Sequence, residues 1–142
     1  MEHIKTLAEY RYEKASNCLN TSISAIEQDD YFTAANRSYY AVFHAIRSIL
    51  ALRQIDFSNH GEVIGYFRRE FIKTQIFPKE MSYTIDTLFD TRNKSDYDDF
   101  YIISKEDVEE QHSSAISFLS EVREYLDKQH MTLEIHPLKL DK

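Results

Sequence analysis

The chain has 142 residues, the length of one compact domain rather than two. With 42% hydrophobic and 29% charged residues it can bury a core, and its composition is not that of a disordered protein. Two glycines and two prolines leave too little turn chemistry for a barrel or sandwich, and no glycine cluster of the kind that cradles phosphate. A net charge of −7 removes any bulk attraction to nucleic acid, so a phosphate contact has to come from a local basic cluster.

Cys18 is the one cysteine, which rules out an internal disulfide and a cysteine-based zinc site. The opening residues are charged, and no apolar run approaches the roughly 18 residues of a membrane span. The expectation is a cytoplasmic protein without metal or cofactor. The other signal in the composition is aromatic: ten Tyr and nine Phe with no Trp. That density suits buried rings with hydrated hydroxyls, or a contact surface.

In chain order, the first helix is expected from about Glu2 to Gln28, where Ile4, Leu7, Ala8, Ala15, Cys18, Leu19, Ser22 and Ile26 recur at helical steps. Asp29 and Asp30 offer an N-cap for the second helix, Tyr31 to about Arg53. There Tyr31, Ala35, Ser38, Val42, Ala45, Ile49 and Leu52 form a stripe, flanked by Tyr39, Phe43, Ile46 and Leu50. The one plainly polar strip carries Asn36, Tyr40 and Arg47, with Arg37 and His44 beside it. A helix so apolar packs on several sides, so this one is expected at the centre or against a partner.

The third helix starts at Ser58-Asn59-His60-Gly61-Glu62, where Asn59 and Glu62 have capping-box spacing and Ser58 competes as the cap. It buries Val63, Ile64, Phe67, Phe71 and Ile72, and presents Arg68, Arg69 and Lys73 as the densest basic patch. Pro78 suits the start of a fourth helix, which carries Met81, Ile85, Leu88 and Phe89 and ends near Asp96. An acidic and aromatic loop follows, and Ser104 caps a last helix whose seam is Val108, Gln111, Ala115, Leu119, Val122 and Leu126. Residues 1–128 are thus expected to form an all-α, elongated up-and-down bundle of four to five helices. Residues 129–142 are expected to be an extended tail.

Arg92 falls where the apolar stripe of the fourth helix would continue, within reach of Asp96 and followed by Tyr97. An arginine there needs partners or a wet cleft: it is either a helix-end salt bridge or a guanidinium held for phosphate. Arg37, Tyr40 and His44 share one side of the second helix, either as its solvated strip or as the wall of a groove opposite Arg92. His60 follows the cap residues, His112 lies in the apolar seam of the last helix, and the remaining histidines form no metal-ligand spacing.

The run Asp30-Tyr31-Phe32-Thr33-Ala34-Ala35-Asn36-Arg37-Ser38-Tyr39-Tyr40-Ala41-Val42-Phe43-His44-Ala45 resembles the second helix of the HEPN family (higher eukaryotes and prokaryotes nucleotide-binding domains). His60-Gly61-Glu62-Val63 with Phe67 and Phe71 is similar to its third helix. Arg92-Asn93-Lys94-Ser95-Asp96-Tyr97 is similar to the Arg-x-x-x-Asp-Tyr signature of its small prokaryotic branch. The resemblance implies a homodimeric helical bundle and a toxin–antitoxin partnership with a minimal nucleotidyltransferase. It also implies a nucleotide or RNA ligand, with Arg92, Asp96 and Tyr97 at the site, Arg37, Tyr40 and His44 as the opposite wall, and His60 as a further ligand-binding candidate.

Many members are metal-independent ribonucleases that place a histidine a few residues after the arginine. Here the corresponding slots hold Tyr97, Asp98 and Asp99. Unperturbed Tyr and Asp titrate near about 10 and about 4, so none replaces imidazole as an acid–base group near neutrality. The resemblance therefore implies a nucleotide- or RNA-associated protein. The alternatives are a ribonuclease using His44 or His60 instead, and a non-catalytic adaptor that binds other proteins.

Overall fold

The computed structural model describes the backbone of residues 2–135, with side chains as far as His130. Helix α1 (Glu2–Glu27) and α2 (Tyr31–Leu52) form a hairpin, followed by α3 (His60–Phe67), a π-helical turn (Arg68–Ile72), α4 (Glu80–Tyr97) and α5 (Lys105–Ile135). No strand occurs among the described residues, and the fold is an all-α bundle. None of its helices is long and apolar enough to cross a membrane.

Thirteen of the 22 residues of α2 are buried, which places it at the centre as its sequence requires. Ala8 and Ala15 of α1 and Ala34, Ala41 and Ala45 of α2 are wholly buried, so the hairpin's small side chains let the two backbones close up. Asp29 takes a left-handed φ of 60° to turn the chain, and the Asp30 carboxylate then accepts from the Thr33 N–H. Helix α5 covers the hairpin with Val108, Ala115, Leu119, Val122 and Leu126, all buried. The Tyr12 hydroxyl donates to the Leu119 carbonyl, and Arg123 forms a two-pronged ion pair with Glu9.

The expected caps are in place for α3 and α5: the Asn59 side chain accepts from the Glu62 N–H, and the Ser104 hydroxyl from the Asp107 N–H. Three features differ from the sequence reading. Periodicity gave no sign of the π-helical turn, in which the Lys73 N–H reaches the Arg68 carbonyl five residues back. The basic patch is not free cationic surface either, because Arg68 pairs with Asp86 and Arg69 with Glu70. Finally, α5 continues through Ile135, so residues 129–135 are helical where an extended tail was expected. Residues 136–142 of that tail lie outside the described residues.

A buried polar knot locks α5 to the hairpin. The Ser22 hydroxyl donates to the Ala34 carbonyl, and it lies 2.9 Å from the Ser38 hydroxyl and 3.1 Å from His112 Nδ1. Its single proton is committed to the carbonyl, so both neighbours donate to it and His112 carries its proton on Nδ1. Replacing Ser22 with Ala leaves two buried donors unpaired. The expected cost is about 1–3 kcal/mol of stability in urea unfolding, with the helical circular dichroism unchanged.

Candidate functional site

Three elements bring charge and aromatic rings together along the polar strip of α2. Helix α2 supplies its polar strip, α3 supplies His60 from its first turn, and α4 supplies Arg92 and Asp96 from its last turns. Arg92 Nη2 donates to the Tyr40 hydroxyl at 3.2 Å. The guanidinium carbon lies 4.9 Å from the Tyr39 ring centre and 5.3 Å from that of Tyr40. On the other side, the Arg37 guanidinium lies 5.1 Å from the same Tyr40 ring, so this ring contacts two cations.

His60 stacks on Phe43 with ring centres 4.0 Å apart, and its Nδ1 is 3.1 Å from the Tyr39 hydroxyl. Tyr40 also contacts both imidazoles, with centroid distances of 6.0 Å to His44 and 5.9 Å to His60. The sequence spacing explains the grouping. Asn36, Tyr40 and His44 stand at four-residue steps on α2, and Arg37 lies one position from the first of them.

The site is electropositive within a chain that is negative overall. Burial, helped by Lys14, Arg47, Arg37 and His60, pushes the His44 imidazole down to about 4. His60 is also pushed down, by burial first and then by Arg92 and Arg47. Both rings are therefore neutral near pH 7. Burial pushes the Tyr39 phenol up to about 12 against the opposing pull of Arg92.

Two polar atoms here are buried without a hydrogen bond, His44 Nδ1 and Arg92 Nε. The carboxylate nearest Arg92, on Asp96, stands 3.7 Å from that Nε, too far for a good hydrogen bond. A second arginine in the same chain sets the comparison. Arg123 spends its fork on both oxygens of Glu9 and on Asp127, and is held far above the usual range by those bonds. Arg92, with its side chain 22% exposed, makes one hydrogen bond and has donors to spare. Its carboxylate partner is a distant one and its side chain is partly within reach of solvent, a state in which a guanidinium can accept an anion.

Of the residues singled out from the sequence, Arg92, Asp96, Arg37, Tyr40, His44 and His60 lie together. Tyr97 does not join them, because it ends α4 with 83% of its surface exposed. Sequence reasoning missed Tyr39 and Phe43, which it assigned to an apolar flank, although they form the floor under His60 and Arg92. The adjacent pair Tyr39-Tyr40, followed by Phe43-His44, was the available signal. No group of three or more His, Cys, Asp or Glu side chains gathers as a metal site among the described residues.

The central helix buries all but one strip, and along that strip it presents an arginine, a tyrosine and a histidine beside a second arginine. The family model for the HEPN domain matches residues 8–125, and the chain belongs to that family. It is 28% identical to a UPF0332 protein of Thermotoga maritima over 127 residues, 89% of this chain and 96% of that one. It is 31% identical to a protein named "Putative toxin MJ0142" from Methanocaldococcus jannaschii over 114 residues, 80% of this chain and 78% of that one.

The depressed His44 carries a pH prediction. The unfolded imidazole takes its proton near the ordinary value of about 6.5, before the folded one does. Stability present above that pH is therefore lost as the pH falls toward the folded value of about 4. Urea midpoints should fall between pH 7 and pH 4.5, and His44→Gln should flatten part of the decline.

Proposed function

We propose that this protein is a toxin-type HEPN domain whose Arg92 cluster binds the phosphate of a nucleotide or RNA. The observation that carries the reading is the contrast between the two arginines: Arg123 is saturated by carboxylates, whereas Arg92 is propped on two tyrosine rings with donors unspent. A phosphate oxygen would take those donors, and Arg37, 5.1 Å from the Tyr40 ring centre, would add charge beside it. The relative named as a toxin, and the family's fold, support placing the chain in this class. Self-association into a homodimer and pairing with a minimal nucleotidyltransferase belong to the same reading.

The ribonuclease alternative gains from one observation, the presence of His44 and His60 in the cluster beside Arg92. Acid–base cleavage needs one imidazole protonated and one free. Burial and the surrounding cations hold both in the neutral form, which favours binding over cleavage in the free protein. Incubation of pure protein with RNA, beside His44→Ala and His60→Ala variants, separates the two readings: cleavage that drops with either variant supports the enzyme.

The binding test uses thermal shift with ATP and with a short oligoribonucleotide. Ligand at a hundredfold excess over its dissociation constant should stabilise the native protein by about 2.7 kcal/mol. Arg92→Ala should weaken that binding roughly ten- to a hundredfold, the value of a lost charge-assisted hydrogen bond, while the ligand-free melting temperature changes little. Arg123→Ala should do the reverse, melting earlier while still responding to ligand. An Arg92→Ala protein that fails to fold, or a wild type that responds to neither ligand, would count against the proposal.

A further inference from the structure

Between α4 and α5 lie two adjoining cavities of about 100 and 280 Å³, both lined by Thr84 and Ser114 and neither by a residue of that cluster. Glu110 lines the smaller cavity and Glu80 and Glu121 the larger, and no Lys, Arg or His lines either. None of the three glutamates forms an ion pair among the described residues. The smaller cavity is walled on one side by Tyr83, whose ring is 76% exposed.

A second observation points to a ligand there. Gln111 lines the smaller cavity with 8% of its surface exposed. Its amide nitrogen is committed to the Thr91 hydroxyl at 2.9 Å, yet its buried Oε1 has no hydrogen-bond partner. An unmet buried acceptor costs about 1–3 kcal/mol and invites a donor. An unmet acceptor beneath the lining, the Glu110 carboxylate and an aromatic wall together suit a cation with N–H donors, with Glu80 and Glu121 in the adjoining cavity. The smaller space exceeds the roughly 30 Å³ share of one water, which leaves room for the head of a long side chain.

We propose that the α4–α5 groove docks a basic segment of another protein, with an arginine or lysine side chain inserted toward Gln111 and Glu110. The choice of occupant rests on charge complementarity, since the groove carries three unpaired carboxylates and no cation. The site is separate from the Arg92 cluster and does not depend on what binds there.

The test follows backbone amide resonances of the full-length chain during titration with a helical alanine-based peptide bearing Arg at every fourth position. A twin peptide with Glu at those positions and the small probe acetyl-arginine amide run beside it. The arginine probes should shift Thr84, Gln111 and Ser114, and the Glu twin should not. Glu110→Gln and Gln111→Leu should each weaken the Arg peptide about two- to fivefold, the scale of one exposed ion pair or hydrogen bond. Glu13→Gln, an exposed carboxylate on α1, should leave it unchanged. The proposal is overturned if those amides do not move, if the Glu13 variant weakens binding equally, or if Gln111→Leu and Glu110→Gln both bind as wild type does. It is equally overturned if the same amides shift when the protein alone is concentrated, because the occupant is then a second copy.

Discussion

The arrangement of the molecule follows from how completely α2 is enclosed. α1 covers one side, α5 another, and α3 and α4 close most of what remains, so the helix can keep polar side chains only along one narrow line. The small hydroxyls of Ser38 and Ser48 find partners inside the core, and the charged and larger polar groups that α2 retains are thereby gathered along that line. Arg37, Tyr40 and His44 meet there because no other face of the helix would accept them without a large desolvation cost. α4 then brings Arg92 alongside that strip.

That crowding sets the chemistry. Three cations, Lys14, Arg37 and Arg47, act on a half-buried imidazole, and Arg92 acts on the second one. Packing like charges together is unfavourable, and the protein meets that cost in two ways. It lets both histidines stay neutral, and it places the Arg37 and Arg92 guanidinium groups over tyrosine rings, with Asp96 at 3.7 Å from Arg92 as the carboxylate beside them. An anion entering the site would relieve the remaining repulsion. Elsewhere the same chain, with a charge of −7, neutralises its arginines with acids, as at Arg68 and Asp86 or Arg123 and Glu9, and Arg47, which acts on His44, is itself paired with Asp56.

Much of this was legible in the residues. The near absence of glycine and proline, the three- and four-residue steps, and the cap residues Asn59 and Ser104 all speak of helices, because each acts locally and leaves a local trace. The polar strip of α2 could be read from a helical wheel for the same reason. What the wheel could not supply was depth. Tyr39 and Phe43 look like ordinary core residues in sequence, and only the position of α3 turns them into the floor beneath an imidazole. Tyr97 erred the other way: it directly follows Asp96, but adjacency along a helix end does not fix direction, and it turns out to solvent. The π-helical turn was hidden because a wider turn still repeats apolar residues at nearly helical spacing.

That wider turn has a consequence for everything downstream. It inserts the equivalent of one extra residue between the α3 core positions and the link that ends at Pro78, and so resets the angular phase at which the chain enters α4. Excising one residue between Arg68 and Ile72 would restore uniform winding, at the expense of rotating the rest by roughly 100° about the axis. Phe77 would leave its slot against Phe67 and Phe71, and α4 would be pulled out of register with α2. The irregularity acts as a spacer between the α3 core and the link that seats Phe77 against Phe67 and Phe71.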